Sequence, residues 1–94
     1  MFARVTTYQG KTDSVGEMES RLDGIASQVS AIPGVANVHT LWNDDGSGMT
    51  VAIYDSEAAA TAAATTIQGI WGGLADLLAG PPSAATYSSV HKLA

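Results

Sequence analysis

Ninety-four residues with 46% hydrophobic content make one domain, spanning residues 1–94, the expectation, with enough apolar side chains for a core. There is no cysteine, which excludes disulfides, thiol catalysis, iron–sulfur clusters and Cys-type zinc sites, and leaves oligomerisation as the remaining aid to a chain this small. The formal charge of −5 sets nine carboxylates against four scattered cations, Arg4, Lys11, Arg21 and Lys92, with no basic stripe to neutralise phosphates, which argues against nucleic acid as a partner.

Phe2 to Tyr8 alternates with the period of a strand, placing Phe2, Arg4, Thr6 and Tyr8 on one face and Ala3, Val5 and Thr7 on the other. Gly10 ends it. Met1 to Gly10 lacks the long apolar run of a signal peptide, so with the absence of cysteine a cytoplasmic location is expected. Gly10-Lys11-Thr12 has the ending of a phosphate-binding loop, but Val5 stands where its first glycine is required, and the motif is rejected. Ser14 and Glu17 form an S-x-x-E capping box ahead of Val15, Met18, Leu22, Ile25 and Val29, whose steps of three and four predict an amphipathic helix.

Ile32-Pro33-Gly34 stops that helix, since proline lacks an N–H for the ladder and glycine tolerates a left-handed turn. A strand over Val35 to Trp42 and another over Met49 to Tyr54 are expected to pair as a hairpin through Asn43-Asp44-Asp45-Gly46-Ser47-Gly48. The same turn lacks both the spacing and the closing bidentate Glu of a calcium loop. Gly46-Ser47-Gly48 does not have nucleophile-elbow spacing either.

Ser56, between Asp55 and Glu57, predicts a second helix start. Ala58 to Gly80 approaches membrane-spanning length with one charge, Asp76, yet it is mostly Ala, Thr and Gly without Lys or Arg flanks. A helix packed on a sheet is the reading, with no membrane as partner. Ile67, Ile70, Trp71, Leu74, Leu77 and Leu78 supply its bulk, and Gly69, Gly72 and Gly73 are expected to weaken or bend it. After Gly80-Pro81-Pro82 a last strand is expected over Thr86 to Leu93, with Tyr87, Ser89, His91 and Leu93 on one side.

The order is β-α-β twice, which predicts an α+β, ferredoxin-like βαββαβ fold: a four-stranded antiparallel sheet with both helices on one face. The helix-free face is expected to carry Phe2 and Tyr8 and to need a cover, most simply a second copy of the chain.

At Pro33-Gly34-Val35, Leu41, the Asp-rich turn and Tyr54-Asp55-Ser56-Glu57-Ala58, the sequence resembles the dimeric α+β barrel superfamily, in particular antibiotic-biosynthesis-monooxygenase (ABM) type proteins. The resemblance in element order covers nearly the whole chain. It implies a homodimer whose sheets meet face to face, and a pocket between sheet and helices in each subunit. The implied activities range from cofactor-independent oxygenation of quinols and polyketides to haem degradation and isomerisation, alongside members with no known activity. The haem-degrading branch carries an Asn on the first strand and a Trp and a His on the second helix. Those places hold Thr6, Ala63 and Gly73 here.

Arg4 is the most informative single residue: a guanidinium on a covered face needs an anionic partner, either a carboxylate at a dimer seam or an anionic or carbonyl-bearing ligand. His39 and His91 are the candidate proton acceptors, each with a structural or surface alternative; two histidines without cysteine give no metal site. Trp42, Tyr54, Trp71 and Tyr87 are core or pocket aromatics, and Thr6, Tyr54 and Trp71 are the candidates for contacting a ligand. The leading functional expectation is oxygenation of a small aromatic or quinol-like molecule without metal, flavin or other cofactor, with Arg4, His39 and His91 catalytic. The alternative is a non-enzymatic small-molecule-binding or assembly module.

Overall fold

In a computed structural model describing residues 1–94, the chain folds as β1 (Phe2–Gln9), α1 (Val15–Ser30), β2 (Val35–Trp42), β3 (Ser47–Tyr54), α2 (Glu57–Gly73), a short 3₁₀ turn (Ala75–Leu77) and β4 (Ser83–Tyr87). The strands form one antiparallel sheet in the order β2-β3-β1-β4. This is the ferredoxin-like plan that the element order predicts.

The element starts have different local causes. At α2 the Ser56 side chain accepts a hydrogen bond from the Ala59 N–H at 3.1 Å, capping one of the donors a helix start leaves without an intrahelical partner. At α1 the predicted capping box does not form. The Ser14 hydroxyl instead faces the carbonyls of Lys11 (2.7 Å) and Leu77 (2.9 Å), tying the start of α1 to the 3₁₀ turn. Glu17 pairs with Arg21 at 3.1 Å one turn later. Gly34 ends the α1–β2 connection at φ 79°, and a Cβ there would lie 2.6 Å from the Cβ of Ala59, so glycine serves both the turn and the close approach of α2. α2 runs through Gly69 and Gly72 to Gly73.

Strand register decides what faces the helices. Phe2, Arg4, Thr6 and Tyr8 pair with Tyr54, Ala52, Thr50 and Gly48 of β3, and the buried members of this stripe pack beneath α1 and α2. The expectation that Phe2 and Tyr8 lie on the helix-free face is therefore corrected. Alternation along a strand separates two faces but does not say which one receives the helices. Tyr8 resolves the choice sterically: its ring lies over Gly48, where a Cβ would come within 2.5 Å of the phenol, and it packs against Met18 of α1 and Trp71 of α2.

The core has two centres. Tyr8, Met18, Leu74, Leu77 and Leu78 gather at one end, and Ile32, Ala52, Tyr54, Ala60 and Ala63 at the other. Small residues at Ala60 and Ala63 let the first half of α2 lie close to the sheet, whereas its second half is carried by Ile67 and Trp71.

The last strand is shorter and earlier than predicted, Ser83–Tyr87 in place of Thr86–Leu93. Ala3 pairs with Tyr87, so an antiparallel continuation of β4 runs out of partners on β1 within two residues. His91 and Leu93 therefore lie beyond the strand and are exposed, despite the strand-like spacing of Val90 to Leu93. No helix is long and apolar enough to cross a membrane.

Candidate functional site

Between the helix-bearing face of the sheet and the two helices lies a cavity of about 540 Å³, within the size range of small-molecule sites. It sits between the two core centres. α1 lines it with Leu22, Ile25 and Val29 and α2 with Ile67, Ile70 and Trp71, the same stripes that define the helices in sequence. The sheet contributes the polar groups: Arg4, Thr6 and Tyr8 from β1, Thr40 from β2, Thr50 and Tyr54 from β3.

Three of these are mutually satisfied. The Tyr8 hydroxyl lies 2.9 Å from the Thr40 hydroxyl and donates to the Leu41 carbonyl at 3.3 Å, while the Thr50 hydroxyl donates to Thr40 Oγ1 at 3.2 Å. The Tyr8 ring meets Trp71 at 5.3 Å between centroids with the planes inclined by 50°, an arrangement between edge and face that fixes one wall of the cavity.

Arg4 and Tyr54 differ from that group. Both salt bridges of the chain belong to Arg21, so the half-buried Arg4 guanidinium is paired with no carboxylate. Its cross-strand neighbours on the same face are Ala52 and Thr86, which are small and leave it room. Tyr54 is fully buried and its hydroxyl has no hydrogen-bond partner in the protein. Burial pushes the Tyr54 phenol up, and the nearby positive charge of Arg4 opposes this only in part, so Tyr54 is a neutral hydrogen-bond donor at physiological pH.

Of the residues singled out in sequence, Arg4, Thr6, Tyr54 and Trp71 come together in the lining of this cavity. His39 and His91 do not. His39 is exposed on β2 opposite Val51, on the helix-free side, and His91 lies exposed after β4. A carboxylate pairing for Arg4 at a sheet-to-sheet seam is likewise ruled out by position, since Arg4 points to the helix side. Trp42 and Tyr87 are not part of the cavity, and Tyr87 is 54% exposed on the helix-free face. Thr40 and Thr50 carry no signal in the sequence, since isolated threonines on strands gain meaning only when register places them opposite one another. No group of three or more His, Cys, Asp or Glu side chains comes together.

Neither a family model nor a curated protein sequence matches the chain. Solved structures do match its fold. A protein of unknown function from Nitrosomonas europaea superposes with a TM-score of 0.82 at 17% identity, over 99% of this chain and 93% of the other. SnoaB, a cofactor-independent oxygenase from Streptomyces nogalater, gives 0.76 at 16% identity, over 98% and 95%. A monooxygenase from Streptomyces coelicolor, solved with the ligand nanaomycin D, gives 0.74 at 22% identity, over 99% and 90%. The fold is the one shared by ABM-type proteins. At these identities the likeness establishes architecture, and chemistry has to be argued from the cavity.

Proposed function

We propose that the chain is a cofactor-independent, monooxygenase-like protein that takes a small aromatic or quinol-like molecule into the cavity between sheet and helices. The observation that carries this reading is the pairing of an apolar, aromatic-walled cavity with a single unpaired cation, Arg4, inside it. Cofactor-free oxygenation needs an electron-rich substrate anion that supplies electrons to dioxygen; one oxygen atom enters at a ring methylene, displacing its two hydrogens, and the other leaves as water. Arg4 favours the anion electrostatically in a low-dielectric site. Trp71 and Tyr54 hold the ring system, and Thr6 lies on the same wall.

The proton acceptor assigned in sequence to His39 or His91 has no counterpart inside the cavity. In this reading the substrate loses its proton to solvent and binds as the anion. The test is oxygen uptake with an anthrone or naphthoquinol, comparing the parent with Arg4→Met and with His39→Ala plus His91→Ala. Turnover that falls by tenfold or more in Arg4→Met and persists in the double histidine variant supports the reading; turnover unchanged in Arg4→Met sinks it.

The absence of a cavity base specifically favours the second reading, a non-enzymatic binding module. It predicts tight aromatic binding with no oxygen uptake by any variant.

The assembly proposed with this function is a homodimer through the helix-free face. Leu41, Met49 and Tyr87 are 55%, 39% and 54% exposed there, beside half-buried Val5, Val51 and Ile53. A contiguous exposed apolar surface of this kind favours an interface, and a second copy of the same sheet is the simplest cover.

A further inference from the structure

Arg4, with no carboxylate partner, and Tyr54, whose buried hydroxyl has no hydrogen-bond partner, both line the cavity, and the sheet places them together. Arg4 stands opposite Ala52 and Tyr54 opposite Phe2, diagonal neighbours on one face of β1 and β3. A buried hydroxyl without a partner costs stability, and an unpaired guanidinium in an apolar cavity does the same. The hydroxyls of Tyr8, Thr40 and Thr50 are engaged with one another and with backbone carbonyls, so they have no comparable deficit.

Resting on the aromatic-ligand reading above, we infer that Arg4 and Tyr54 form a two-pronged oxyanion subsite that selects a singly ionised hydroxyarene, both residues donating hydrogen bonds to the same phenolate or enolate oxygen. The Tyr54 hydroxyl is closed to water, so the subsite requires the cavity wall around it to open as the ligand enters. The rest of the lining sets the ligand class. The titratable side chains of the lining are Arg4, Tyr8 and Tyr54, all from the sheet; α1 and α2 present uncharged residues. One cation accommodates one negative charge, which disfavours dicarboxylates and phosphate monoesters. The apolar remainder fits a flat body of fused rings. Tyr54 stays protonated, because burial raises its phenol above the ordinary value, and so it donates rather than competes as an anion.

The test uses umbelliferone, a bicyclic phenol whose ionisation is visible in its absorption spectrum near neutral pH, together with its methyl ether, which cannot ionise. Both are titrated into the parent, Tyr54→Phe and Arg4→Met. In the parent, binding lowers the ionisation midpoint of umbelliferone. Tyr54→Phe weakens phenolate binding roughly tenfold, the range for a hydrogen bond to a charged group, and Arg4→Met abolishes the preference for the phenolate. Binding of the methyl ether changes less than about twofold in both variants. Removing a hydroxyl that has no partner leaves the thermal midpoint of Tyr54→Phe at or above that of the parent, so lost phenolate binding is not lost folding. If all three proteins bind umbelliferone as the neutral phenol, with equal affinity, the oxyanion subsite is overturned while the aromatic cavity stands. If neither compound binds the parent, the cavity reading itself fails and the subsite with it.

Discussion

Tyr8 shows how one side chain can fix both the fold and the site. Its ring covers Gly48 and packs at a tilt against Trp71, and its hydroxyl joins Thr40 and Leu41, so the cavity wall depends on the space that Gly48 leaves. Gly48→Ala puts a methyl 2.5 Å from the phenol and from the Leu41 carbonyl oxygen. The expected cost is about 1–3 kcal/mol in urea denaturation, the range for overpacking, together with altered fluorescence from Trp71 as Tyr8 is displaced. A variant with unchanged stability and spectrum would mean that Tyr8 moves freely and does not define the wall. Arg4, Thr6, Tyr54 and Trp71 stand out in the sequence and all four line the cavity, although the β1 stripe that carries Arg4 and Thr6 is expected from sequence on the helix-free face. The histidines were singled out by chemistry alone. Nothing local to His39 says that its face of β2 is the one without helices.

At the scale of elements, α1 is held to the turn after α2 by Arg21, which donates to both carboxylate oxygens of Asp76 at 3.2 Å, to the Gly73 carbonyl at 3.1 Å and to Glu17 at 3.1 Å. Hydrogen bonding to Arg21 holds the Asp76 carboxyl below its ordinary value of 3.8. A carboxylate depressed in the folded state binds fewer protons folded than unfolded, so its stabilisation is complete above 3.8 and is lost as pH falls through the lower folded value. Asp76→Asn therefore lowers the thermal midpoint at neutral pH, and the gap to the parent closes in strongly acidic solution. A gap that persists there would place the effect in packing rather than in charge. The charges are solvent-exposed, so the gap at neutral pH also narrows with added salt. This bridge was not legible in sequence, since it spans residues far apart in the chain. The starts of α2 and β2 were legible because Ser56 and Gly34 act within a few residues of themselves. Ser14 has the capping-box pattern, but its hydroxyl donates to the Lys11 and Leu77 carbonyls instead of accepting from the helix N–H groups, and β4 ends early for want of a partner beyond the start of β1.

For the whole molecule, one face of the sheet carries the cavity and the other carries Leu41, Met49 and Tyr87 open to solvent. The sequence predicted an apolar face in need of a cover and named the wrong stripe of β1 for it, yet the need remains, because Val5, Val51 and Ile53 take the place assigned to Phe2 and Tyr8. Sedimentation should give a dimer at micromolar concentration, and Leu41→Lys with Met49→Lys should give a monomer, since burying two ammonium groups in an apolar seam is prohibitive. A parent that sediments as a stable monomer would contradict the cover. Because the cavity lies on the opposite face, all of its lining residues come from one chain, and the proposed dimer is not needed to complete it.

The most direct test of the central claim is a crystal structure of the protein with a bound hydroxyarene such as umbelliferone. The account predicts the ring between Trp71 and the sheet, with its ionised oxygen within hydrogen-bond distance of both Arg4 and Tyr54. A ligand seated on the helix-free face, or in the cavity with its oxygen turned away from Arg4, would contradict it.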